Sequence, residues 1–414
     1  MEPSPLATLL RDNPIVVTGI GAHSAAGDSV AALWRAALAR RGLAAWREFP
    51  VAGQPSRRFA VCSAPPLEVS APEMRFARKA DRCTRMALHA ANLAWQQAAI
   101  NEAYVPERRG IILGSSRGPV GKMDESLTSL QRGDIMPTMS AHSSMGSMSG
   151  TLAQFFGLKG PGSVVSATCA SAAFAIGIAA EQILLGKADV MLVGGAEAPL
   201  HAVVLAQLQA SGVLGSHEEP AKTCRPFDAT RNGMVLGEGS AFLVLERLGA
   251  RPDAKPLAKL AGWSMTTESS GRTGMQEDGS SVVNAMQQAL ELAQLSPHQI
   301  GYVHTHGSGT PLNDFAEAAA LGRLFGERGV PCSSTKPVTG HCLGATPALG
   351  ALLCIEALRH QKLPPAVNCT EPDPLCPVQL VTPETQPKPL TSVLSNAIGF
   401  WGYHSSLVFS KDCA

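Results

Sequence analysis

The stretch Cys169-Ala-Ser-Ala-Ala-Phe-Ala-Ile-Gly177 has the same spacing as Cys342-Leu-Gly-Ala-Thr-Pro-Ala-Leu-Gly350, since both read Cys-x-x-Ala-x-x-Ala-x-Gly. The next charged residue after each cysteine comes late, at Glu181 and Glu356. Long uncharged runs of small and apolar residues are typical of buried helices. The repeat therefore predicts a duplicated α/β unit, with two apolar helices that meet in the middle of the molecule.

Short apolar runs that end in glycine alternate with helical stretches on both sides of this motif. The runs are predicted strands because they are short and rich in branched side chains, and they lie at 15–21, 110–114, 188–195 and 240–246. The predicted helices lie near 29–39, 82–98, 171–186, 282–294, 314–325 and 345–360. This alternation predicts parallel sheets covered by helices on both faces.

Length and composition limit how these elements are organised. The chain has 414 residues, of which 45% are hydrophobic and 16% charged, and it fits one large or two tightly joined α/β domains. A proline- and charge-bearing link, Leu248–Pro256, separates two halves of similar size. We therefore expect an N-terminal half over 1–250 and a C-terminal half over 251–414. The low charge content also favours a broad subunit interface.

Composition argues against several other classes of protein. The formal net charge of +1 does not favour nucleic-acid binding, and no apolar run reaches the roughly 18 residues of a membrane-spanning helix. Ten cysteines spread along a chain that starts without a charged-then-apolar leader indicate a reduced, cytoplasmic compartment. No cysteine and histidine spacing is typical of a metal site, so no metal is expected. The segment Gly19-Ile-Gly21 lacks the third glycine of a dinucleotide-binding loop.

Cys169 is the candidate nucleophile. It precedes a run of small residues predicted to be a close-packed helix, whose backbone N–H groups and positive dipole end favour thiolate over thiol. Cysteine thiolate is the strongest nucleophile that proteins possess for thioester exchange. The alternative is that Cys169 is one of ten small buried hydrophobic residues, as most cysteines are.

The next informative segment, Val303-His304-Thr305-His306-Gly307, contains two histidines. It is predicted to be a strand that runs into a glycine turn. Loops at the carboxyl ends of parallel strands commonly carry function. His304 and His306 are expected on the same face of the strand, and one of them is expected to be structural. Hydroxyls and carboxylates follow this turn, at Ser308, Thr310, Asp314 and Glu317.

The third segment, Lys336-Pro-Val-Thr-Gly-His341, leads into the second apolar helix. His341 is expected at the start of that helix, where the dipole opposes protonation and lowers its pKa. A neutral imidazole can donate a hydrogen bond to a thioester oxygen. Lys336 either adds positive charge to this site, pairs with Glu317, or is a plain surface lysine.

In these motifs the chain resembles the elongating β-ketoacyl-[acyl-carrier-protein] synthases of the thiolase superfamily, over about 15–410. The matching segments occur in the family's order. They are Val16–Gly21, Val165–Ala173, Arg225–Gly239, His306–Asp314, Lys336–His341 and Ser395–Gly402. The resemblance implies the thiolase-like duplicated αβαβα five-layer fold, with two pseudo-symmetric halves around buried central helices.

The resemblance also implies roles for the candidate residues. The nucleophile is Cys169, and the paired histidines are His306 and His341. Their supporting residues are Lys336, Asp314 and Glu317, while His304 has no catalytic role. Backbone N–H groups of Cys169 and Phe400 form the oxyanion hole, and the hydroxyls of Ser308 and Thr310 contact the pantetheine arm.

The implied reaction is a decarboxylative Claisen condensation. An acyl group is transferred from a carrier protein to Cys169, and it then condenses with malonyl-carrier protein to give a β-ketoacyl chain two carbons longer. The pathway is fatty-acid or type II polyketide-like elongation. No cofactor or metal is implied, and the implied partner is an acyl carrier protein. This partner is expected to dock on the basic residues Arg75, Arg78 and Lys79. The alternative is that these three residues are only the solvated start of a helix.

One loop departs from the family's usual Gly-Phe-Gly-Gly-Thr-Asn, since the chain reads Gly399-Phe-Trp401-Gly-Tyr403-His404. Trp401 removes the backbone freedom of a glycine and adds a large ring beside the presumed gate at Phe400. We hypothesise a changed gate or acyl pocket, and so an unusual acyl chain from specialised metabolism. The alternative is unchanged fatty-acid elongation.

Two other functions remain open at this point. The chain, expected to be a homodimer or a heterodimer, could be a ketosynthase-like subunit that is active only with a chain-length partner. It could instead be a Cys-His thioester hydrolase, although a site framed by apolar helices does not favour admission of water.

Overall fold

A computed structural model of the chain describes residues 4–51, 54–100, 103–269, 275–326, 329–385 and 389–411. The strands are β1 (Ile15–Ser24), β2 (Ala45–Val51), β3 (Gln54–Cys62), β4 (Arg109–Gly114), β5 (Gly162–Val165), β6 (Val190–Glu197), β7 (Leu236–Gly237), β8 (Gly239–Arg247), β9 (Ala258–Trp263), β10 (Thr266–Thr267), β11 (Ile300–His304), β12 (Cys332–Ser333), β13 (Ser392–Ile398) and β14 (Tyr403–Ser410).

The helices lie within a few residues of the predicted stretches, and others join them. They are α1 (Pro5–Asp12), α2 (Val30–Leu38), α3 (Pro72–Phe76), α4 (Arg82–Ala98), α5 (Val120–Arg132), α6 (Met139–Ser143), α7 (Gly146–Phe156), α8 (Ser171–Leu184), α9 (Ala202–Ala210), α10 (Ser280–Ala293), α11 (Pro311–Phe325), α12 (Lys336–Thr339) and α13 (Thr346–His360). None of the helices in the described ranges combines the length and hydropathy needed to cross a membrane.

The sheet repeats one strand order in both halves of the chain. From one edge to the other it runs β5-β4-β6-β8-β1 and continues as β9-β14-β13-β11-β12. If the five strands of each series are numbered 1 to 5 in chain order, both series read 3-2-4-5-1 from the outer edge inward. The parallel and antiparallel directions of the strands also match. The series join where Ile15 of β1 pairs with Leu260 of β9. The fold is thus the expected duplicated unit.

The prediction of parallel sheets was correct for only part of each half, because the sheet is mixed. In each half the three outer strands are parallel, whereas β8 and β14 run antiparallel to both of their neighbours. A mixed sheet that is buried on both faces has the same apolar runs as a parallel one, so the sequence pattern could not separate the two.

The two apolar helices of the repeat, α8 and α13, pack against each other and against strands of both halves. Outside the sheet, α4 and α7 cover the N-terminal strands, α10 covers the C-terminal ones, and α11 packs on α10. Each half of the sheet therefore forms one layer, and the layers alternate helix, sheet, helix, sheet, helix. In α13 every residue from Thr346 to Leu358 is buried.

The glycines of the shared motif allow this close packing. A Cβ on Gly177 would lie 2.6 Å from a ring carbon of Trp263, and one on Gly350 would lie 2.9 Å from Nδ1 of His304 and from Oγ of Ser395. Both glycines therefore permit a central helix to approach a strand more closely than any larger residue would allow.

Candidate active site

A cavity of about 520 Å³ opens where loops from both halves meet. It is lined by seven of the predicted site residues, which are Cys169, His306, Ser308, Thr310, His341, Phe400 and Trp401. These residues come from the turn before α8, the loop after β11, the segment before α13 and the loop after β13. The tertiary structure thus brings the three reactive segments of the sequence to one pocket.

Cys169 lies in a tight turn two residues before α8, and not at its first residue. The preceding residue, Thr168, has φ of +48°, a left-handed conformation that is strained for a non-glycine residue. Hydrogen bonds hold this turn: Oγ1 of Thr168 donates to the carbonyl of Phe400 at 3.1 Å, and Oγ of Ser171 donates to the carbonyl of Thr168 at 2.6 Å. The strained turn is therefore fixed to the loop after β13.

Burial raises the pKa of the Cys169 thiol to about 11. The Lys336 ammonium and the Arg117 guanidinium oppose this shift, and so does the backbone N–H of Phe400, which points at the sulfur. The buried carboxyl of Glu197 raises the pKa further. Burial thus outweighs the groups that favour thiolate, and our expectation of a thiolate at rest was wrong in direction.

His306 and His341 face each other with ring centroids 5.2 Å apart and ring planes at 77°. The backbone N–H of Ile398 points at Nδ1 of His306 at 3.2 Å, and that of Leu343 points at Nδ1 of His341 at 3.1 Å. Because a backbone N–H can only donate, each Nδ1 is the acceptor and each proton sits on Nε2.

Both imidazoles are neutral at physiological pH. Burial, and then the charge of Lys336, lowers the pKa of His306 and of His341 well below 6.5. Thr346 adds a hydroxyl 3.1 Å from Nδ1 of His341. The pocket therefore holds two uncharged Nε2–H donors whose orientation is set by main-chain hydrogen bonds.

Lys336 and Glu317 lie behind the pocket and hold the backbone of the His306 loop. The Lys336 side chain is 1% exposed, and its ammonium donates to the carbonyl oxygen of His306. The Glu317 carboxylate accepts the N–H groups of His306 and Gly307, both at 2.8 Å, and the amide of Asn396 at 3.1 Å. Lys336 is thus a buried residue, and its hydrogen bond goes to the loop and not to Glu317.

Asp314 shapes the next part of the same loop. Its carboxylate accepts from the N–H groups of Phe227 at 2.9 Å and Gly309 at 3.2 Å. Gly309 has φ of +78°, which glycine adopts at low cost. The turn brings the hydroxyls of Ser308 and Thr310 within 2.8 Å of each other at the pocket wall.

His304 has a different environment from His306. It is 3% exposed, and its Nε2 lies 2.9 Å from Oγ1 of Thr335. Burial, with the charge of Lys336, lowers its pKa to about 3. His304 does not line the pocket and belongs to the packing between β11 and α13.

The departing loop is built around Trp401, which has φ of +63° and an exposure of 57%. The next residue, Gly402, packs so closely on the backbone of Glu268 that a Cβ would lie 2.3 Å from its carbonyl oxygen. The Glu268 carboxylate also lies 2.9 Å from Nε2 of His404, in a pair that is almost fully buried. Tyr403 packs edge-on against Phe174.

Sequence reasoning missed Arg117 and Glu197. Ser116 and Arg117 line the pocket, and their backbone N–H groups donate to the Glu197 carboxyl. Burial raises the pKa of Glu197 to about 7. Their positions in the chain could have indicated a role, because Arg117 follows β4 and Glu197 ends β6. The carboxyl ends of parallel strands are where functional residues commonly lie.

Arg75, Arg78 and Lys79 lie away from this pocket. All three are exposed, around the end of α3 and before α4. Two of them, Arg75 and Arg78, line a separate cavity.

Comparison with known proteins identifies the family of this chain. The profile of the β-ketoacyl synthase N-terminal domain matches 12–250, and that of the C-terminal domain matches 257–370. The chain is 33% identical to the tetracenomycin polyketide synthase ketoacyl synthase alpha subunit of Streptomyces glaucescens, covering 96% of this chain and 97% of that protein. It is 31% identical to 3-oxoacyl-[acyl-carrier-protein] synthase 2 of Coxiella burnetii, covering 96% and 98%.

Solved structures share the whole fold. A β-ketoacyl synthase from Burkholderia phymatum superimposes with a TM-score of 0.87 at 33% identity, covering 97% of this chain and all of that one. A type II polyketide ketosynthase in complex with its acyl-carrier protein gives 0.86 at 27% identity, covering 96% and 99%. A ketosynthase in complex with its chain length factor, from Xenorhabdus doucetiae, gives 0.82 at 27% identity, covering 99% and 100%.

The profiles span both halves of the chain, and the relatives cover nearly all of it. The chain therefore belongs to the β-ketoacyl synthase family of acyltransferases, which carry out the condensation step of fatty-acid or type II polyketide elongation.

Proposed function

We propose that this protein condenses an acyl group held on Cys169 with a malonyl unit held on acyl carrier protein. One observation carries the proposal: a nucleophilic sulfur and two uncharged Nε2–H imidazoles, His306 and His341, line the same pocket. A thiolate forms the acyl-enzyme, and neutral imidazoles stabilise an enolate oxygen, so each half of the reaction has its groups in place.

The first half-reaction transfers the acyl group. Cys169 loses its proton and its sulfur attacks the thioester carbonyl; a new C–S bond forms, and the pantetheine sulfur leaves and takes a proton. The N–H of Phe400, already directed at the sulfur, would stabilise the oxyanion together with the N–H of Cys169. The Lys336 charge supports the loss of the thiol proton.

The second half-reaction forms the carbon–carbon bond. The Nε2–H groups of His306 and His341 donate to the thioester oxygen of malonyl-carrier protein, and the bond to the carboxylate breaks to release carbon dioxide. The resulting enolate attacks the acyl carbonyl on Cys169. The acyl C–S bond breaks, and the Cys169 sulfur is regenerated. Neutral imidazoles suit this step because they donate without needing to lose a charge.

The test is condensation by the purified protein with acyl- and malonyl-carrier protein. We expect a β-ketoacyl product, and a loss of at least about a hundredfold in rate on removal of a group that donates in the transition state, in Cys169→Ala, His306→Ala and His341→Ala. His304→Gln is the matched control, since His304 is equally buried outside the pocket, and it should retain condensation. Release of free acid in place of a β-ketoacyl product would instead support a thioester hydrolase.

The partner in this proposal is an acyl carrier protein. Arg75, Arg78 and Lys79 form an exposed basic surface, which complements an acidic protein and mainly raises the encounter rate. The hydroxyls of Ser308 and Thr310 are available to the amides of a pantetheine arm. A relative solved with its acyl-carrier protein supports this assignment. The nine described cysteines are free thiols, which supports a cytoplasmic location.

We further propose that the protein works as a dimer through the β5 edge. Among the strands of the described ranges, β5 pairs with β4 alone, which leaves its other side open for pairing. Helix α5 has no buried residue, and its Met123, Leu127 and Leu130 are each more than half exposed on one face. The first half thus carries both an unpaired strand edge and an apolar helix face, and both favour a second ketosynthase-like chain as the occupant.

The second candidate function is a subunit that is active only with a chain-length partner. Trp401 favours it, because a large exposed ring in a left-handed position alters the loop that carries Phe400. A relative solved with its chain length factor also supports it. Condensation by the purified chain alone would exclude this candidate, whereas condensation only after addition of a partner would establish it.

A further inference from the structure

A second cavity, of about 530 Å³, lies apart from the active site between the 66–69 loop and the helices α3 and α4. Its apolar wall is formed by Pro66, Leu67, Val69 and Met74. Its polar wall is formed entirely by arginines, which are Arg75, Arg78, Arg82 and Arg85. We call it the arginine cavity.

The positive charge of the arginine cavity is largely unbalanced. Arg82 is neutralised by Glu238, with N–O distances of 2.7 and 2.9 Å. Within the described ranges, the guanidinium groups of Arg75, Arg78 and Arg85 form no ion pair with a carboxylate at 4.0 Å or less. Like charges lining one concave surface repel each other, so an anion between them would lower the electrostatic energy.

One donor of Arg85, which lines the cavity, has no acceptor in the described part of the chain. Its Nε is buried and has no hydrogen-bond partner among the described residues. A buried donor without an acceptor costs roughly 1–3 kcal/mol, and native proteins rarely leave one unsatisfied. Arg82 and Arg85 are three residues apart on α4, so their side chains project from the same face of the helix.

We propose that the arginine cavity binds a small anion that carries two or more phosphate groups. Arginine forks match phosphate oxygens in bidentate geometry, and one phosphate offers acceptors to several forks at once. The cavity is far larger than a single phosphate needs, and three unbalanced guanidiniums favour a multiply charged ligand.

Binding there would compete with the carrier protein, because Arg75 and Arg78 belong to both the cavity and the proposed docking surface. The arginine cavity would then make condensation sensitive to the level of a cellular polyphosphate compound. This regulatory part rests on the proposed function, whereas the binding of the anion does not.

The direct test is calorimetric titration of the full chain with pyrophosphate at fixed ionic strength. We expect saturable binding at one site per chain, weakened at least tenfold in Arg85→Gln and less in Arg85→Lys, which keeps the charge. Arg35→Gln, an exposed arginine on α2, is the control and should bind as the parent does. Circular dichroism checks that each variant is folded.

Absence of saturable binding, equal binding by Arg85→Gln, or equal affinity for citrate would overturn the assignment. A higher KM for the carrier protein in Arg85→Gln, without any binding of pyrophosphate by the parent, would also overturn it, since the cavity would then be part of the protein interface.

The competition is tested separately. Pyrophosphate should raise the KM for acyl-carrier protein and leave kcat/KM for an acyl N-acetylcysteamine thioester unchanged, and the inhibition should weaken at least tenfold in Arg85→Gln. Inhibition of both substrates alike, or of neither, would overturn the competition. A protein that turns over neither substrate would contradict the proposed function, while the calorimetric titration would still decide whether the anion binds.

Discussion

At the scale of single residues, burial and charge act in opposite directions on Cys169. Burial raises the pKa of its thiol to about 11, whereas Lys336 and Arg117 lower it. With that pKa, only about one molecule in a thousand carries a thiolate at pH 8. The thiol is therefore the main form of Cys169 in the resting protein.

The first prediction concerns this balance of charge. Lys336→Met should raise the pKa of Cys169 further and slow its alkylation by iodoacetamide at pH 8 by about tenfold or more, because a nearby opposite charge shifts a pKa by about one to three units. Arg117→Met, which removes a weaker influence, should slow it less. Peptide mass mapping isolates Cys169 from the other thiols. Unchanged alkylation in Lys336→Met would contradict the charge balance.

The second prediction concerns acid stability. His304 has a folded pKa of about 3 against about 6.5 when unfolded, so it favours folding above pH 6.5 and this contribution is lost as the pH falls from 6.5 toward 3. Between pH 7 and 5.5, the free energy of unfolding of His304→Gln should fall by about 1 kcal/mol less than that of the parent. Urea unfolding at both pH values measures this, and equal losses in the two proteins would refute it.

At the scale of elements, the loop from Gly399 to Gly402 joins β13 to β14 and carries both the proposed oxyanion donor and an exposed ring. Thr168 ties the loop to the cysteine turn, and Glu268 donates its backbone N–H to the carbonyl of Gly402 at 2.8 Å. Because the loop is held on both sides, a change in one of its residues acts on the pocket directly.

The third prediction separates the ring of Trp401 from its backbone. Trp401→Gly and Trp401→Ala both remove the ring, and both should change the chain-length profile of the products. Glycine adopts φ of +63° at lower cost than alanine, so Trp401→Gly should be more stable than Trp401→Ala by about 1 kcal/mol. Mass spectrometry of products and thermal unfolding measure the two effects. An unchanged profile in both variants would refute the changed pocket.

The fourth prediction tests the packing of the central helices. Gly350→Ala should lower the free energy of unfolding by about 1–3 kcal/mol, because its Cβ would meet His304 and Ser395 in a filled interior. Gly322→Ala is the matched control on α11, where the Cβ would meet nothing within 4 Å. It should raise stability by about 0.5–1 kcal/mol. Equal changes in the two variants would contradict the close approach of α13 to β13.

At the scale of the whole molecule, the two halves form one continuous sheet and contribute different groups to one pocket. The proposed nucleophile, Cys169, comes from the first half, and both His306 and His341 come from the second. The β5 edge and the apolar face of α5 both belong to the first half, which therefore carries the proposed subunit interface.

The fifth prediction concerns this surface. The purified protein should sediment as a dimer, and Leu127→Asp should shift it to monomer because it places a charge in an apolar interface. Leu375→Asp is the control, since Leu375 is 68% exposed outside α5, and it should remain dimeric. Analytical ultracentrifugation distinguishes the species. If the parent protein is monomeric alone and dimeric only with a chain-length partner, the homodimer is refuted and the heterodimer is supported.

The sequence by itself was sufficient for the family fold, the central helices and the identity of the reactive segments. A helix such as α8 is encoded by its own run of small and apolar residues, and a repeated motif at Cys169 and Cys342 reports duplication without any contact being known. These properties depend on residues close together in the chain, which is why they could be read in advance.

The tertiary structure alone decided the protonation states and the residues that set them. The pKa of Cys169, the Nε2–H tautomers of His306 and His341, and the place of Glu197 beside the pocket all depend on groups far away in sequence. Burial and Coulomb interactions act through space, so their balance exists only once the chain has folded. The mixed sheet and the arginine cavity have the same origin, because strand direction and the convergence of like charges are properties of the assembled molecule.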